Sequence, residues 1–471
     1  MDPHWTSILP ALVAISLAFV TRRVVPALFA SIVMGGVVLV IRTGEVSDGN
    51  VIERFFLPAL GSASYAKILL IYLWSLGGLI GVWEKTGGAE HFARLVGGRV
   101  ARSPRSAKVY GWLVGMLFHQ GGTVSTVLAG TTVKPVTDQH RVAHEELAYI
   151  VDSTASPVAT VLPFNAWPAY VGALIVGTVP VIPDLDAAVR FFFASVPFNF
   201  YGILAVSMTF AFAMGWLPWV GRKMAAAQVR VAKNGGLDRP GAQPMMPPHG
   251  EDLRAEGYRP SLWDFAVPIG VLLAVAVLPM VVMDANWIDE AFLSCMLSAM
   301  LVAWLRGMKI GDLMDGFLAG CKSMTIGAVI LGLAVTLALV TKELDTAGYL
   351  VSLIDGSVPA MALPGLLVLL CMGIAFACGT SWGTYAVVFP VALPLAWAMV
   401  PDPVFLQVCF GAVLGGAVFG DQCSPISDTT ILASMFTGCD LMDHVNTQLP
   451  LALTAAGGAV VLATVAAAAV V

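Results

Sequence analysis

Charge is scarce in this chain. Only 12% of its 471 residues are Asp, Glu, Lys or Arg, against 58% hydrophobic, and the mean hydropathy is +0.83. Soluble domains carry about 25% charged residues, so there is too little charge here to coat a water-soluble protein of this length. Disorder is excluded by the same numbers, because disordered chains are poor in apolar residues and rich in charge. Cysteine is sparse and scattered: Cys295, Cys321, Cys371, Cys378, Cys409, Cys423 and Cys439 form no C-x-x-C pair. That pattern points to neither a disulfide framework nor a zinc site, and a cysteine in an apolar run acts as a small hydrophobe. The start, Met1-Asp2-Pro3-His4-Trp5, lacks the basic region of a cleavable signal peptide, so the first apolar run is expected to be retained. No G-X-Y period accompanies the 47 glycines, which excludes collagen. The alternating pattern of outer-membrane strands is missing too. What remains is a polytopic membrane protein.

A bilayer core of about 30 Å takes roughly 20 apolar residues per helical crossing. Runs of that kind recur from 8–21 to 448–471, several interrupted by Pro and Gly. They predict an all-α polytopic fold with about 11–13 transmembrane helices. Lys85, Arg94, Arg99, Arg102, Arg105 and Lys108 crowd the 84–108 loop, and seven further Lys and Arg lie in 221–261. The positive-inside rule places both loops in the cytoplasm, at the inner membrane of a bacterial cell. With Pro240, Pro244, Pro247 and Pro248, the 221–261 stretch reads as a flexible linker. It divides a first transmembrane half, 1–220, from a second, 262–471.

The halves look related. In the first, Gly115-Met116-Leu117-Phe118-His119-Gln120-Gly121-Gly122-Thr123 precedes Asp152-Ser153-Thr154-Ala155-Ser156-Pro157. In the second, Gly373-Ile374-Ala375-Phe376-Ala377-Cys378-Gly379-Thr380-Ser381 precedes Asp421-Gln422-Cys423-Ser424-Pro425. The loop charges start the two interrupted segments on opposite sides of the membrane, so the repeats are expected to be inverted. Matched broken helices in inverted repeats point to the midplane site of a secondary transporter.

The chemistry is expected at these breaks. Asp421 and Asp428 lie between apolar runs, with Ser424, Ser427, Thr429 and Thr430 around them. A carboxylate at bilayer depth costs about 2.5–3.5 kcal/mol on insertion scales, so it is kept for function or paired. Pro425 obstructs the helix and frees carbonyls nearby. Carboxylate, hydroxyl and carbonyl oxygens together suit Na⁺, with Asp421, Asp428 and Asp152 as the acidic candidates. The plainer reading of Ser427 or Asp428 is an N-cap for the next helix. Asp152, Ser153 and Thr154 are the first-half counterpart. Gly379, Thr380, Ser381 and Thr384 form a loosened helix where a solute approaches the backbone. Gly379-Thr380-Ser381-Trp382-Gly383 also spells G-x-S-x-G, a pattern that acts as a nucleophile elbow only on a strand–turn–helix. His119 reads equally as a proton relay or a satisfied core histidine. His444 and Trp167 read as interfacial residues, and His140 and His144 as solvated.

At these motifs the sequence resembles the NhaC-type sodium/proton antiporter family, within the wider ion-transporter superfamily. The resemblance is carried by Gly379 to Thr384, by Gly416 to Leu432 with its Gly-Asp-x-x-Ser-Pro-Ile-Ser-Asp-Thr-Thr core, and by His444 to Pro450. In the first half it rests on Gly77 to Gly81, Gly87-Gly88, Lys134 to Asp138 and Leu147 to Ala155. It implies Na⁺ efflux in exchange for protons, or, in some members, exchange of malate, lactate or other organic solutes. Related members carry an acidic pair in the first-half interrupted helix where this chain has Gly121-Gly122.

The reading is therefore a transporter, not an enzyme, with no cofactor beyond Na⁺ and H⁺ as transported or coupling ions. Its partners are the lipid bilayer and a small cation or organic solute, with no nucleic acid, and a homodimer is compatible with this class. Cation/proton antiport stands first. A sodium- or proton-coupled carrier of a small organic acid or amino acid stands second, and an intramembrane serine hydrolase using Ser381 and His444 a distant third.

Overall fold

Apolar runs fold as helices in a bilayer because each backbone N–H and C=O must be satisfied within its own segment. A computed structural model of the chain describes residues 4–21, 24–89, 91–92, 95, 101–119, 122–162, 165–244, 254–283, 287–346, 349, 359–425 and 427–471. Among these residues the regular structure is all helix, without a strand. The first half comprises α1 (Leu9–Thr21), α2 (Val24–Thr43), α3 (Trp74–Thr86), α4 (Pro104–Leu117), α5 (Gly122–Gln139), α6 (His144–Ser153), α7 (Trp167–Ile175), α8 (Leu185–Ser195) and α9 (Phe200–Met214). After α10 (Arg222–Asn234), the second half continues with α11 (Trp263–Met283), α12 (Ile288–Leu305), α13 (Ile310–Ser323) and α14 (Thr325–Glu343). It ends with α15 (Leu363–Cys378), α16 (Ser381–Met399), α17 (Pro403–Cys423), α18 (Asp428–Thr437) and α19 (Leu441–Ala468).

Six stretches among the described residues are long and apolar enough to cross a bilayer: Val25–Thr43, Tyr65–Thr86, Ala360–Ala377, Ser381–Met399, Pro403–Cys423 and Leu441–Ala468. Leu185–Phe198 and Phe200–Met214, bent by 55°, form a seventh when taken as one span. Other apolar runs are cut short. The apolar run 109–130 is divided between α4 and α5, and the run 147–163 leaves the helix after Ser153. Gly and Pro chemistry explains such breaks. Gly379 closes α15 in the left-handed region at φ 68°, where glycine has no side chain to clash. Ser424 then leaves α17 with ψ 130°, and Pro425 beyond it has no N–H to continue the ladder.

α17 is the axis of this arrangement, packed by α9, α15, α16 and α19. Its glycines make that possible. A Cβ on Gly411 would lie 2.4 Å from the Phe198 carbonyl oxygen, and one on Gly420 would lie 2.3 Å from the Phe376 nitrogen. Small residues let backbones approach this closely in membrane bundles.

Three expectations need correction here. The 221–261 stretch is not wholly a loose linker, because α10 docks on the start of α6. Arg230 donates to both oxygens of Glu145 at 3.0 and 2.7 Å, while Lys108 and Gln228 each donate to Glu146 at 2.9 Å. The proline-rich part, 245–253, lies outside the described residues. Trp167 is not interfacial: it is fully buried, with ring centroids 5.2 Å from Trp382 and 5.3 Å from Tyr385. His144 is not solvated but buried, held at 2.8 Å by Asp238 and at 3.1 Å by Asp138.

Candidate functional site

Asp421 stands in the last turn of α17 and is buried. Three serines close around it from three separate segments. Ser156 and Ser381 donate to its Oδ2 at 2.8 and 2.7 Å, and Ser427 donates to Oδ1 at 2.9 Å. Each of these serines begins a helix. Ser381 is the first residue of α16, Ser427 caps α18, and Ser156 opens the single turn Ser156–Ala159. Serine favours such positions because its short hydroxyl competes with the ladder in a helix interior. Helix starts also favour negative charge, since their backbone N–H groups lack partners. Thr429 and Thr430 add hydroxyls that donate to the Asp421 carbonyl oxygen at 3.4 and 3.2 Å. The start of α5 completes the wall. A Cβ on Gly122 would sit 2.6 Å from Ser156 Oγ and 2.9 Å from Thr429 Cγ2, so a larger residue has no room there.

Asp152, at the end of α6, is fully buried in a neighbouring pocket with different partners. Its Oδ2 accepts from His444 Nε2 at 3.0 Å and from Gln448 Nε2 at 2.9 Å, both on α19. His444 has no exposed side-chain surface. The interfacial reading of His444 is thereby overturned: α19 carries it past the surface and into the core. Gln422 joins the two pockets. Tyr201 donates to its Oε1 at 2.6 Å, its Nε2 donates to Ser153 Oγ at 2.6 Å, and its carbonyl accepts from Gln448.

The other expected residues divide. Ser381, Ser427 and Thr429 line the Asp421 cage, and Ser153 serves the bridge to Gln422. Ser424 donates to the Phe376 carbonyl at 2.7 Å, tying α17 to α15. Thr154 returns its hydroxyl to the Ile150 carbonyl of its own helix at 2.6 Å. Thr384 likewise returns its hydroxyl to Thr380 at 2.9 Å, and Gly379 supplies the turn. His119 Nδ1 meets the Met116 carbonyl at 2.8 Å, at the end of α4. The side chain of Asp428, and all of Gln120 and Gly121, lie outside the described residues. Ser381 pairs with Asp421 and His444 with Asp152, so the two form no serine–histidine dyad. Tyr201 has no local motif to announce it, and Gln422 stands inside the Asp421 motif without a signal of its own. His444 and Gln448 do carry one signal, two polar side chains four residues apart and so on one face of their helix.

Comparison with known proteins fits these features. The model of the Na⁺/H⁺ antiporter family matches residues 175–467, more than half of the chain. The chain belongs to the Na⁺/H⁺ antiporter family. An uncharacterised protein of Haemophilus influenzae is 30% identical over 96% of this chain and 88% of its own length. The malate-2H⁺/Na⁺-lactate antiporter of Bacillus subtilis is 29% identical over 42% of this chain and 41% of its own. In fold, the chain is similar to the YdaH transporter of Alcanivorax borkumensis. The TM-score is 0.59 at 15% identity, over 96% of this chain and 98% of that one. Secondary transport and a multi-pass membrane location follow from these matches.

Proposed function

We propose that this protein exchanges protons for sodium, or a similar small cation, at Asp421, in the inner membrane of a bacterial cell. The observation that carries the reading is the cage: one buried carboxylate with hydroxyls from Ser156, Ser381 and Ser427 at 2.7–2.9 Å. Carboxylate, hydroxyl and carbonyl oxygens are the ligands that hard cations take. Each hydroxyl has one O–H and two lone pairs. It can donate to the empty carboxylate, then rotate to offer lone pairs to a bound cation. One carboxylate holds the cation or the proton, and this exclusion converts binding into antiport. Gly122 at the cage wall brings no side-chain charge to Asp421, in a chain with Gly121-Gly122 where the resembled family carries an acidic pair.

The breaks after α4 and α15, each followed by an Asp and a Ser-Pro, support two inverted repeats meeting near the midplane. Rocking of one repeat against the other would open the cage to alternate sides, with the 84–108 and 221–261 loops facing the cytoplasm. A second reading, exchange of a small organic acid, is favoured by the likeness to the malate-2H⁺/Na⁺-lactate antiporter. The test is reconstitution in vesicles with an internal pH dye and an imposed proton gradient. Added Na⁺ is expected to collapse the gradient. Silence with Na⁺, K⁺ and Li⁺ in vesicles that remain tight would overturn the cation reading and turn the assay to carboxylates.

A further inference from the structure

We infer that His444, Asp152 and Gln448 form a proton-loading site separate from the Asp421 cage, with His444 as the group that takes and releases the proton. The inference rests on the reading that this protein exchanges protons for another solute. It begins with atoms that have nothing to bind. Among the buried side-chain atoms of the described residues that lack a hydrogen-bond partner, three belong to this one cluster: Asp152 Oδ1, His444 Nδ1 and Gln448 Oε1. Buried polar atoms are paired in the large majority of cases, and three exceptions on three touching side chains call for an explanation.

The geometry says which atom moves the proton. His444 Nε2 faces Asp152 Oδ2 at 3.0 Å, and a second donor, Gln448 Nε2, reaches the same oxygen at 2.9 Å. Bound to a carboxylate oxygen, Nε2 carries its hydrogen, so the charge of the ring is decided at Nδ1. That nitrogen is bare in the imidazole and an N–H in the imidazolium. The proton exchanges there when alternation opens the pocket to water: one N–H bond forms as one O–H bond of hydronium breaks, and the reverse returns it. Without the added proton the pair carries one negative charge, and with it the pair is neutral. Histidine is the side chain whose ordinary titration spans pH 5 to 8.

Among the described side chains, Asp152 is the carboxylate that contacts His444. Tyr149 on α6, Tyr201 on α9, and Cys423 on α17 lie about the pair, and Cys371 is the titratable group described on α15. Such groups ordinarily titrate above about pH 8. Towards the α10 side, Arg239 is engaged by Asp443 and Arg230 by Glu145. Asp421 belongs to the other pocket. A link between the pockets exists through Gln422, which follows Asp421 in sequence, touches Ser153 beside Asp152, and accepts from Gln448. Loading of His444 is thus positioned to be felt at the cation cage.

Two measurements on the full-length protein test this. In vesicles, the pH difference that balances a fixed Na⁺ gradient gives the number of protons exchanged per cation, independent of rate. His444→Gln, which keeps a donor towards Asp152 but cannot be protonated, is expected to lower that number by one. Asp152→Asn is the second variant if His444→Gln is not monodisperse. An unchanged number in both overturns the proposal while leaving antiport intact. Absence of cation-driven proton flux in the wild type removes the antiport reading instead, and the second measurement then decides. In ¹⁵N-histidine-labelled protein in detergent, the His444 ring signal, assigned by its loss in His444→Gln, should change protonation state when the pH is varied. A ring locked in one state throughout overturns the site, whatever solute is carried.

Discussion

The two halves place an aspartate ahead of a Ser-Pro step, and the two aspartates meet opposite chemistries. Asp421 is ringed by serine hydroxyls, Asp152 by nitrogen donors from His444 and Gln448. The spacing in sequence is alike, so the difference comes from what packs opposite. Starts of α16 and α18 and the turn at Ser156 converge on Asp421, whereas the long side chains of α19 reach Asp152. Hydroxyl oxygens can trade a hydrogen bond for a cation, and an imidazole can trade a lone pair for a proton. The comparison teaches that a motif recurring in one chain can be given two different hydrogen-bonding environments by the segments that pack against it.

The largest effect should come from Asp421→Asn. Hydrogen bonds to a charged group contribute about 1.5–3 kcal/mol each, and this change weakens three at once while removing the charge of Asp421. Cation-driven proton flux should fall to the level of empty vesicles, with the protein still monodisperse in size-exclusion chromatography. Full activity would end the distinction between the two pockets. Next comes Ser156→Ala, which removes one hydroxyl. Loss of about 1.5 kcal/mol corresponds to about a tenfold rise in the half-saturating cation concentration, read in the same dye assay. An unchanged value would take Ser156 out of the cage. Gly122→Ala presses on the cage from outside, because its Cβ would lie 2.6 Å from Ser156 Oγ. Crowding at the low end of the usual cost, about 1 kcal/mol, predicts about a fivefold weakening. A tighter-binding Gly122→Ala protein would contradict the packing described for α5.

The smallest effect lies at the docked helix α10. Burial pulls the His144 imidazole down, but hydrogen bonds to Asp138 and Asp238 outweigh it and push it up to about 9. Its ordinary value is 6.5, so the stabilisation is fully present below pH 6.5 and is lost as pH rises through about 9. Hydrogen exchange across 222–243 should therefore quicken between pH 7 and 10 beyond the intrinsic chemical rate. His144→Gln should flatten that excess. An excess that persists in His144→Gln would assign the effect elsewhere.

Much of this protein is legible along the chain. Helical character and membrane residence follow from hydropathy, and the breaks at Gly379 and Pro425 follow from residues that cannot continue a helix. Asp421, Ser381 and Ser427 stand out because polar groups inside apolar runs are costly. Thr154 and Thr384 stand out for the same reason, yet their hydroxyls return to their own helices, a local option that composition does not separate from ligation. Tyr201 is hidden, since a lone aromatic has no pattern, and Gln422 stands inside the Asp421 motif without a signal of its own for the bridge it makes. His444 was misplaced because position near a helix start says nothing of how deeply that helix sits.

Sequence by itself determined what acts within a few residues: which segments are apolar, where helices begin and stop, and which rare charges the interior must accommodate. Tertiary structure alone decided which of them meet. Ser156 finds Asp421 across 265 positions and His444 finds Asp152 across 292. Hydropathy and helix-stop signals are carried by neighbours in the chain. A hydrogen bond between distant segments depends on packing, and here the glycines of α17 let the helices come close enough to set it.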